Sequence, residues 1–136
     1  RVVHGTPASP WDSLSPWMDD DALAARLAGV AEPVVVAGHT HQPMDRRVGD
    51  WWLLNPGSVG QPRDADPRAA WLLLDLEQRR ATFRREPYAV ERTQREILQA
   101  GLPASLAARP ARIRVKPLRR RWWPMLARFP RSRVLP

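Results

Sequence analysis

The sequence predicts an α/β fold, and three observations carry that expectation. Val34-Val35-Val36 is a run of β-branched residues that suits a strand buried on both faces. A short apolar stretch at Val2-Val3 precedes it, with a helical pattern between the two. That strand–helix–strand order is a crossover unit, so residues 1–4 and 34–38 belong in one sheet. Both strands also end on histidine beside glycine, His4-Gly5 and Gly38-His39. The carboxyl end of a strand is where open α/β sheets place their ligands.

The elements follow in order. Residues 8–18 form a loop rich in Pro, Ser and Trp, read as Trp11 and Trp17 packing against the body, with a pocket lining as the alternative. Asp19, Asp20 and Asp21 supply an N-cap and an acidic first turn for a helix over 20–28. Leu23 and Leu27 make its apolar stripe and Gly29 ends it. Ala31-Glu32-Pro33 leads into the central strand. After His41 comes a loop, then a strand over 50–55 that runs into the compact turn Asn55-Pro56-Gly57-Ser58. Residues 69–76 read as a strand and 81–86 as its hairpin partner. With 50–55 these make three strands joined by short connections, which predicts a mostly antiparallel meander. A helix over 88–100 places Val90, Ile97 and Leu98 on one face and is closed by Gly101, and 105–108 adds a short turn.

Beyond residue 108 the pattern changes. Proline recurs at 110, 117, 124, 130 and 136, between Arg119-Arg120-Arg121, Trp122-Trp123 and Phe129. Neither helical nor strand periodicity survives that density of proline, which predicts a folded part over 1–108 and a disordered basic tail over 109–136. Charge divides the same way. Residues 1–96 hold 12 Arg and all 14 acidic residues, whereas 97–136 hold the other 10 Lys and Arg and no acid. The net charge of +8 therefore describes the tail rather than the folded part.

The 136 residues contain no cysteine, which excludes disulfides and thiolate metal sites. A metal would need imidazole, carboxylate or amide oxygen, a set that suits Mn, Fe, Zn, Ni or Mg. No apolar run approaches the roughly 20 residues that span a bilayer, and no signal-peptide pattern opens the chain. The reading is a soluble, cytoplasmic protein. Because it starts at Arg1 rather than Met, it also reads as part of a longer product.

The histidines carry the chemistry. All three, His4, His39 and His41, sit where a strand gives way to a loop, and a metal ion could gather them there. An extended backbone would point His39 and His41 to one side, whereas a turn at Gly38 would fan them toward two adjacent points.

Four stretches together resemble the calcineurin-like metallophosphoesterase superfamily, in particular small bacterial phosphodiesterases of the YfcE-like branch. They are His4-Gly5-Thr6-Pro7, Gly38-His39-Thr40-His41, the run from Asn55-Pro56-Gly57-Ser58 to Gln61-Pro62-Arg63-Asp64, and Gly101-Leu102-Pro103. The resemblance covers about residues 1–108. It implies the C-terminal half of a β-sandwich flanked by helices, with a centre for two divalent metal ions at strand ends. It implies manganese first among those ions, with Fe, Zn or Ni as alternatives. By the resemblance, His4 and His39 would hold the second metal and His41 the first. Asn55, Ser58 and Arg63 would face substrate, with Asn55 and Ser58 equally readable as a supporting turn and Arg63 as a plain loop residue.

The resemblance also implies an activity, hydrolysis of a phosphodiester or phosphomonoester by a hydroxide held between the two metals. The substrate would be a small phosphoester, a nucleotide or a phosphoprotein. The family's Asp-x-His, Gly-Asp-x-x-Asp and Gly-Asn-His blocks are absent, and with them the bridging carboxylate. Three neutral imidazoles cannot offset two divalent charges, so this chain alone is expected to be inactive. Asp45, Asp50 and Asp64 have no spacing that makes them substitutes. The competing reading is a non-catalytic binding module. In that reading the arginines and aromatics of the tail contact nucleic acid, weakly, or an anionic surface.

Overall fold

The computed structural model describes residues 1–111; all but the first three residues of the tail, with its expected disorder and nucleic-acid binding, lie outside the described residues. The chain is of α/β class, with a mixed four-stranded sheet, a two-stranded hairpin and three helices among the described residues. The first sheet contains β1 (Val2–Val3), β2 (Val34–Ala37), β3 (Met44–Val48) and β4 (Trp51–Asn55), in the order β1-β2-β4-β3. β1, β2 and β4 run parallel, and β3 is antiparallel to β4 at the edge.

Helix α1 (Asp20–Leu27) makes the crossover from β1 to β2, as the sequence order required. Asp19 caps it, its carboxylate accepting from the Ala22 N–H at 2.7 Å, and Gly29 ends it at a left-handed φ of 82°. Its stripe of Leu23 and Leu27 is fully buried against Val35, Ala37, Met44, Val48 and Leu53. Full burial of each such side chain contributes about 1.5–3 kcal/mol. β2 is less symmetrically buried than its run of valines implied. Val35 and Ala37 are buried, while Val34 and Val36 on the other face are only half covered.

Two expectations are corrected. The stretch after His41 is a strand, β3, rather than a loop. Met44 and Val48 face the core, and Arg46 between them turns the same way. Its guanidinium pairs with Asp20 in the first turn of α1 and donates to the Met18 carbonyl. An inward arginine broke the apolar alternation that marks a strand. The meander is also wrong in its first member. β4 lies in the first sheet, parallel to β2, with Val35 opposite Leu53. Trp52, Leu53, Leu54 and Asn55 are all buried, which requires an interior strand covered on both faces. Trp52 is gripped from β3, by Asp45 at its indole N–H and by the Arg47 guanidinium 4.0 Å over its ring.

The hairpin of β5 (Ala69–Asp75) and β6 (Arg80–Glu86) forms as expected. Its Ala70 N–H donates to the Ser58 carbonyl at 3.0 Å, which ties it to the turn after β4. Trp71 and Leu73 remain exposed on one of its faces. Helix α2 (Val90–Gln99) packs on the short helix α3 (Ala104–Ala107), where Gln94 donates to the Ala107 carbonyl. Its Leu98 stays exposed, so the expected apolar face is not closed. No helix among the described residues is long and apolar enough to cross a membrane.

The connection from β4 to β5 carries a carboxylate clamp. Arg68 donates to Asp66 through Nε and Nη2, and this hydrogen bonding holds the Asp66 carboxyl below its ordinary range, helped by the Arg68 N–H and the nearby Arg85 charge. A depressed native pKa stabilises the fold above the ordinary carboxylate range and is lost as pH falls through the native value. Asp66→Asn should therefore lower stability at pH 7 by under about 1 kcal/mol, since the pair is partly solvated. The deficit should shrink below about pH 4. Urea unfolding of both proteins at pH 7 and pH 3 measures it; an equal deficit at both pH values would contradict the assignment.

Candidate metal centre

β1 and β2 are adjacent and parallel, so their carboxyl ends deliver His4 and Gly38-His39 to one place. The register is held past the strands by the Gly38 N–H, which donates to the His4 carbonyl at 2.9 Å. The His4 Nε2 and His39 Nδ1 atoms lie 3.1 Å apart, their rings edge to face at 83° with centroids 5.1 Å apart. Two imidazole nitrogens on one ion, each about 2.1 Å from it and 90–110° apart, would be separated by about 3.0–3.4 Å. The observed spacing fits such a pair. His4 is exposed and His39 half-buried, so both are open to solvent on one side.

His39 and His41 both adopt left-handed backbone, with φ of 63° and 58°. The extended alternative is thereby excluded, and the two rings fan from a turn. Each non-glycine residue in that region costs about 1–2 kcal/mol, a strain that persists only where its surroundings enforce it. Thr40 between them donates its N–H to the Gly38 carbonyl at 2.7 Å. Asn55, fully buried at the end of β4, donates its amide to the Gly38 carbonyl at 2.7 Å and to Thr40 Oγ1 at 3.0 Å. Its own oxygen accepts from the Gly57 N–H at 2.9 Å. The Asn55 side chain is thus fully engaged within the protein and faces no solvent.

His41 is held differently. Its Nδ1 lies 2.8 Å from the Gln61 carbonyl. A carbonyl only accepts, so Nδ1 carries the proton and Nε2 keeps the lone pair. A backbone carbonyl on one ring nitrogen is the usual partner of a histidine whose other nitrogen binds metal. The 39–43 and 58–63 loops are joined further. Arg63 N–H donates to the His41 carbonyl, and Gln42 donates to the Arg63 carbonyl. The Arg63 side chain is exposed. Trp17 donates its indole N–H to Gln42 at 3.1 Å, whereas Trp11 projects into solvent. Ser58 Oγ accepts from the Gln61 N–H at 2.9 Å.

No group of three or more His, Asp or Glu side chains arranged to hold a metal ion occurs among the described residues. The acids near in sequence are committed elsewhere or remote. Asp45 accepts from Trp52, Asp64 pairs with Arg85, and Asp50 sits exposed in the turn between β3 and β4. The donor set is therefore two convergent imidazoles and a third whose Nδ1 is held by a carbonyl, with no carboxylate among them.

The family model for the calcineurin-like phosphoesterase superfamily domain matches residues 1–79, which include every residue of this cluster. The chain belongs to that superfamily. Among curated relatives of this calcineurin-like chain, a probable metallophosphoesterase of Methanothermobacter thermautotrophicus is 50% identical over 44 residues, covering 32% of this chain and 26% of the relative. The uncharacterized protein MJ0912 of Methanocaldococcus jannaschii is 27% identical over 123 residues, 78% of this chain and 48% of that protein. Among solved structures, a metallophosphoesterase from Sphaerobacter thermophilus superposes with a TM-score of 0.72 at 32% identity, over 81% of this chain and 53% of that one. The hypothetical protein PH1004 from Pyrococcus horikoshii shares the fold at a TM-score of 0.72 and 21% identity, over 85% of this chain and 46% of its own. The chain spans about half the length of these proteins, or less.

Sequence reading gave Thr40, Gln42 and Gln61 no role of their own. Thr40 and Gln61 act mainly through backbone groups or a buried hydroxyl, and no side-chain type announces that.

Proposed function

We propose that this chain supplies the imidazole half of a two-metal phosphoesterase centre of the small phosphodiesterase kind, within a two-sheet sandwich. The observation that supports it most is the 3.1 Å approach of His4 Nε2 to His39 Nδ1, which suits two ligands of one ion. His41, with Nε2 free, suits the neighbouring ion. When bound, two such ions polarise a phosphoryl oxygen and lower the pKa of water; manganese, iron, zinc and nickel all suit imidazole with carboxylate. The protein's own part is to hold the three rings in place without reorganisation. The turn of 38–40 does so through Asn55, and the Gln61 carbonyl does so for His41. Arg63, exposed beside the His41 loop, is placed to pair with a phosphate. None of these ligands is a carboxylate, so in this reading the acidic ligands that would balance two divalent ions come from outside residues 1–111.

The test compares two proteins with Mn²⁺ and p-nitrophenyl phosphate or bis-p-nitrophenyl phosphate. One is the 136-residue chain. The other is the same chain joined at its N-terminus to a segment carrying the three acidic blocks. Turnover is expected only in the joined protein. There His39→Ala should cost more than the roughly 10–100-fold that loss of an outer-shell partner costs. Full turnover by the chain alone, or by the His39→Ala protein, would contradict the proposal.

A further inference from the structure

We propose that Ser58 is a positioning residue that sets the tautomer of His41 through the Gln61 carbonyl. The link is short and one-directional. Ser58 Oγ accepts the Gln61 N–H at 2.9 Å, so the hydroxyl closes the turn of 58–61. The far side of Gln61, its carbonyl, takes the proton on His41 Nδ1 at 2.8 Å. Ser58 is itself anchored, because its own carbonyl accepts from Ala70 N–H at the start of β5. Gly57 before it occupies a left-handed φ of 91°, where a Cβ would stand 3.0 Å from the Ala70 side chain and 3.1 Å from Pro43. Residues 57 and 58 are thus wedged between the β3 approach and the hairpin, and the Ser58 hydroxyl carries that restraint on to Gln61.

The consequence lies in the electronic state of a single ring. A neutral imidazole has one donor and one acceptor nitrogen, and the hydrogen bond made by one decides the role of the other. With the Gln61 carbonyl in place, Nε2 of His41 bears the lone pair. Without the serine cap, residue 61 loses the restraint on its N–H, its carbonyl is free to turn from the ring, and His41 reverts toward the mixture of tautomers of a free ring. Ser58 Oγ is engaged as an acceptor from the backbone rather than offered to a substrate. The inference deepens the metal-centre reading, and only its second measurement depends on that reading.

The first measurement uses the metal-free 136-residue chain, whose three histidines give three pairs of imidazole nitrogen signals. At a pH where the rings are neutral, nitrogen NMR should show His41 as the Nδ1–H tautomer. In Ser58→Ala the His41 signals should move toward the Nε2–H tautomer, while His4 and His39 keep theirs, and Ser58→Thr should restore the native pattern. The second measurement is Zn²⁺ affinity read from the His41 nitrogen signals, expected to fall about 10-fold in Ser58→Ala and to recover in Ser58→Thr. A wild-type His41 in the Nε2–H form would overturn the proposal without any variant, as would a Ser58→Ala protein with unchanged His41 signals. A tautomer shift with unchanged affinity would overturn the positioning role. Absence of Zn²⁺ binding by the wild type would count against the metal centre, and the tautomer data would then decide the Ser58 link alone.

Discussion

Gly5→Ala should lower the thermal midpoint of the chain by about 12 °C or more, from a loss of about 3 kcal/mol. A Cβ at that position would stand 2.3 Å from the Asp12 carbonyl oxygen, 2.7 Å from that of Ser9 and 2.8 Å from that of Pro10. All three are backbone atoms, so no flexible side chain can step aside. The loop they belong to is itself pinned. Thr6 N–H donates to the Ser9 carbonyl at 2.9 Å, and Ser9 N–H returns to Thr6 Oγ1 at 3.0 Å. Relief must come from moving the 6–12 loop outward or from displacing residue 4. The second route shifts His4, whose carbonyl holds Gly38, and so separates the two facing rings. Such a loss is a large part of the 5–15 kcal/mol that a domain typically has. Thermal unfolding followed by circular dichroism measures it; a midpoint within a degree or two of the native protein would show that the loop is not rigid.

The same packing explains what the sequence disclosed. The valine run and the glycine–histidine exits were legible because each level agreed: β-branched residues, a break at Gly38, and a ligand type at a strand end. Helix α1 was legible for the same reason, with Asp19, the Leu23–Leu27 stripe and Gly29 all consistent. The hairpin of β5 and β6 followed from its two short runs and the turn between them. β3 was hidden because Arg46 faces inward, satisfied by Asp20 and by the Met18 carbonyl just ahead of α1, partners that a linear pattern cannot show. The placement of β4 depended on a long-range choice between two sheets. Burial of Asn55 decides it in hindsight, since an amide at that depth needs the Gly38 and Thr40 partners that only β2 brings near.

The site divides along the same line. Residue type marked His4, His39 and His41, and Asn55 and Ser58 lay in a recognisable turn. What type could not convey was direction. Asn55 points into the protein and locks a strained turn, and Ser58 holds the N–H of Gln61, the residue whose carbonyl meets His41. Both statements come from donor and acceptor geometry. The strain itself was equally invisible, because left-handed backbone at two histidines runs against local preference and exists only where Gly38, Thr40 and Asn55 enforce it.

The largest effect expected at the site concerns His39. If His4 and His39 take one ion between them, neither ring alone is a chelate, and removing one should abolish the response of the other. Zinc suits the test, being diamagnetic and bound well by imidazole. The decisive measurement is a Zn²⁺ titration of the 136-residue chain followed by the imidazole signals of its three histidines, repeated with His39→Ala. Shared ligation predicts that His4 and His39 shift together at the same Zn²⁺ concentration, and that His4 no longer responds in the variant. Independent responses of the two rings, or an unchanged His4 response after loss of His39, would contradict it.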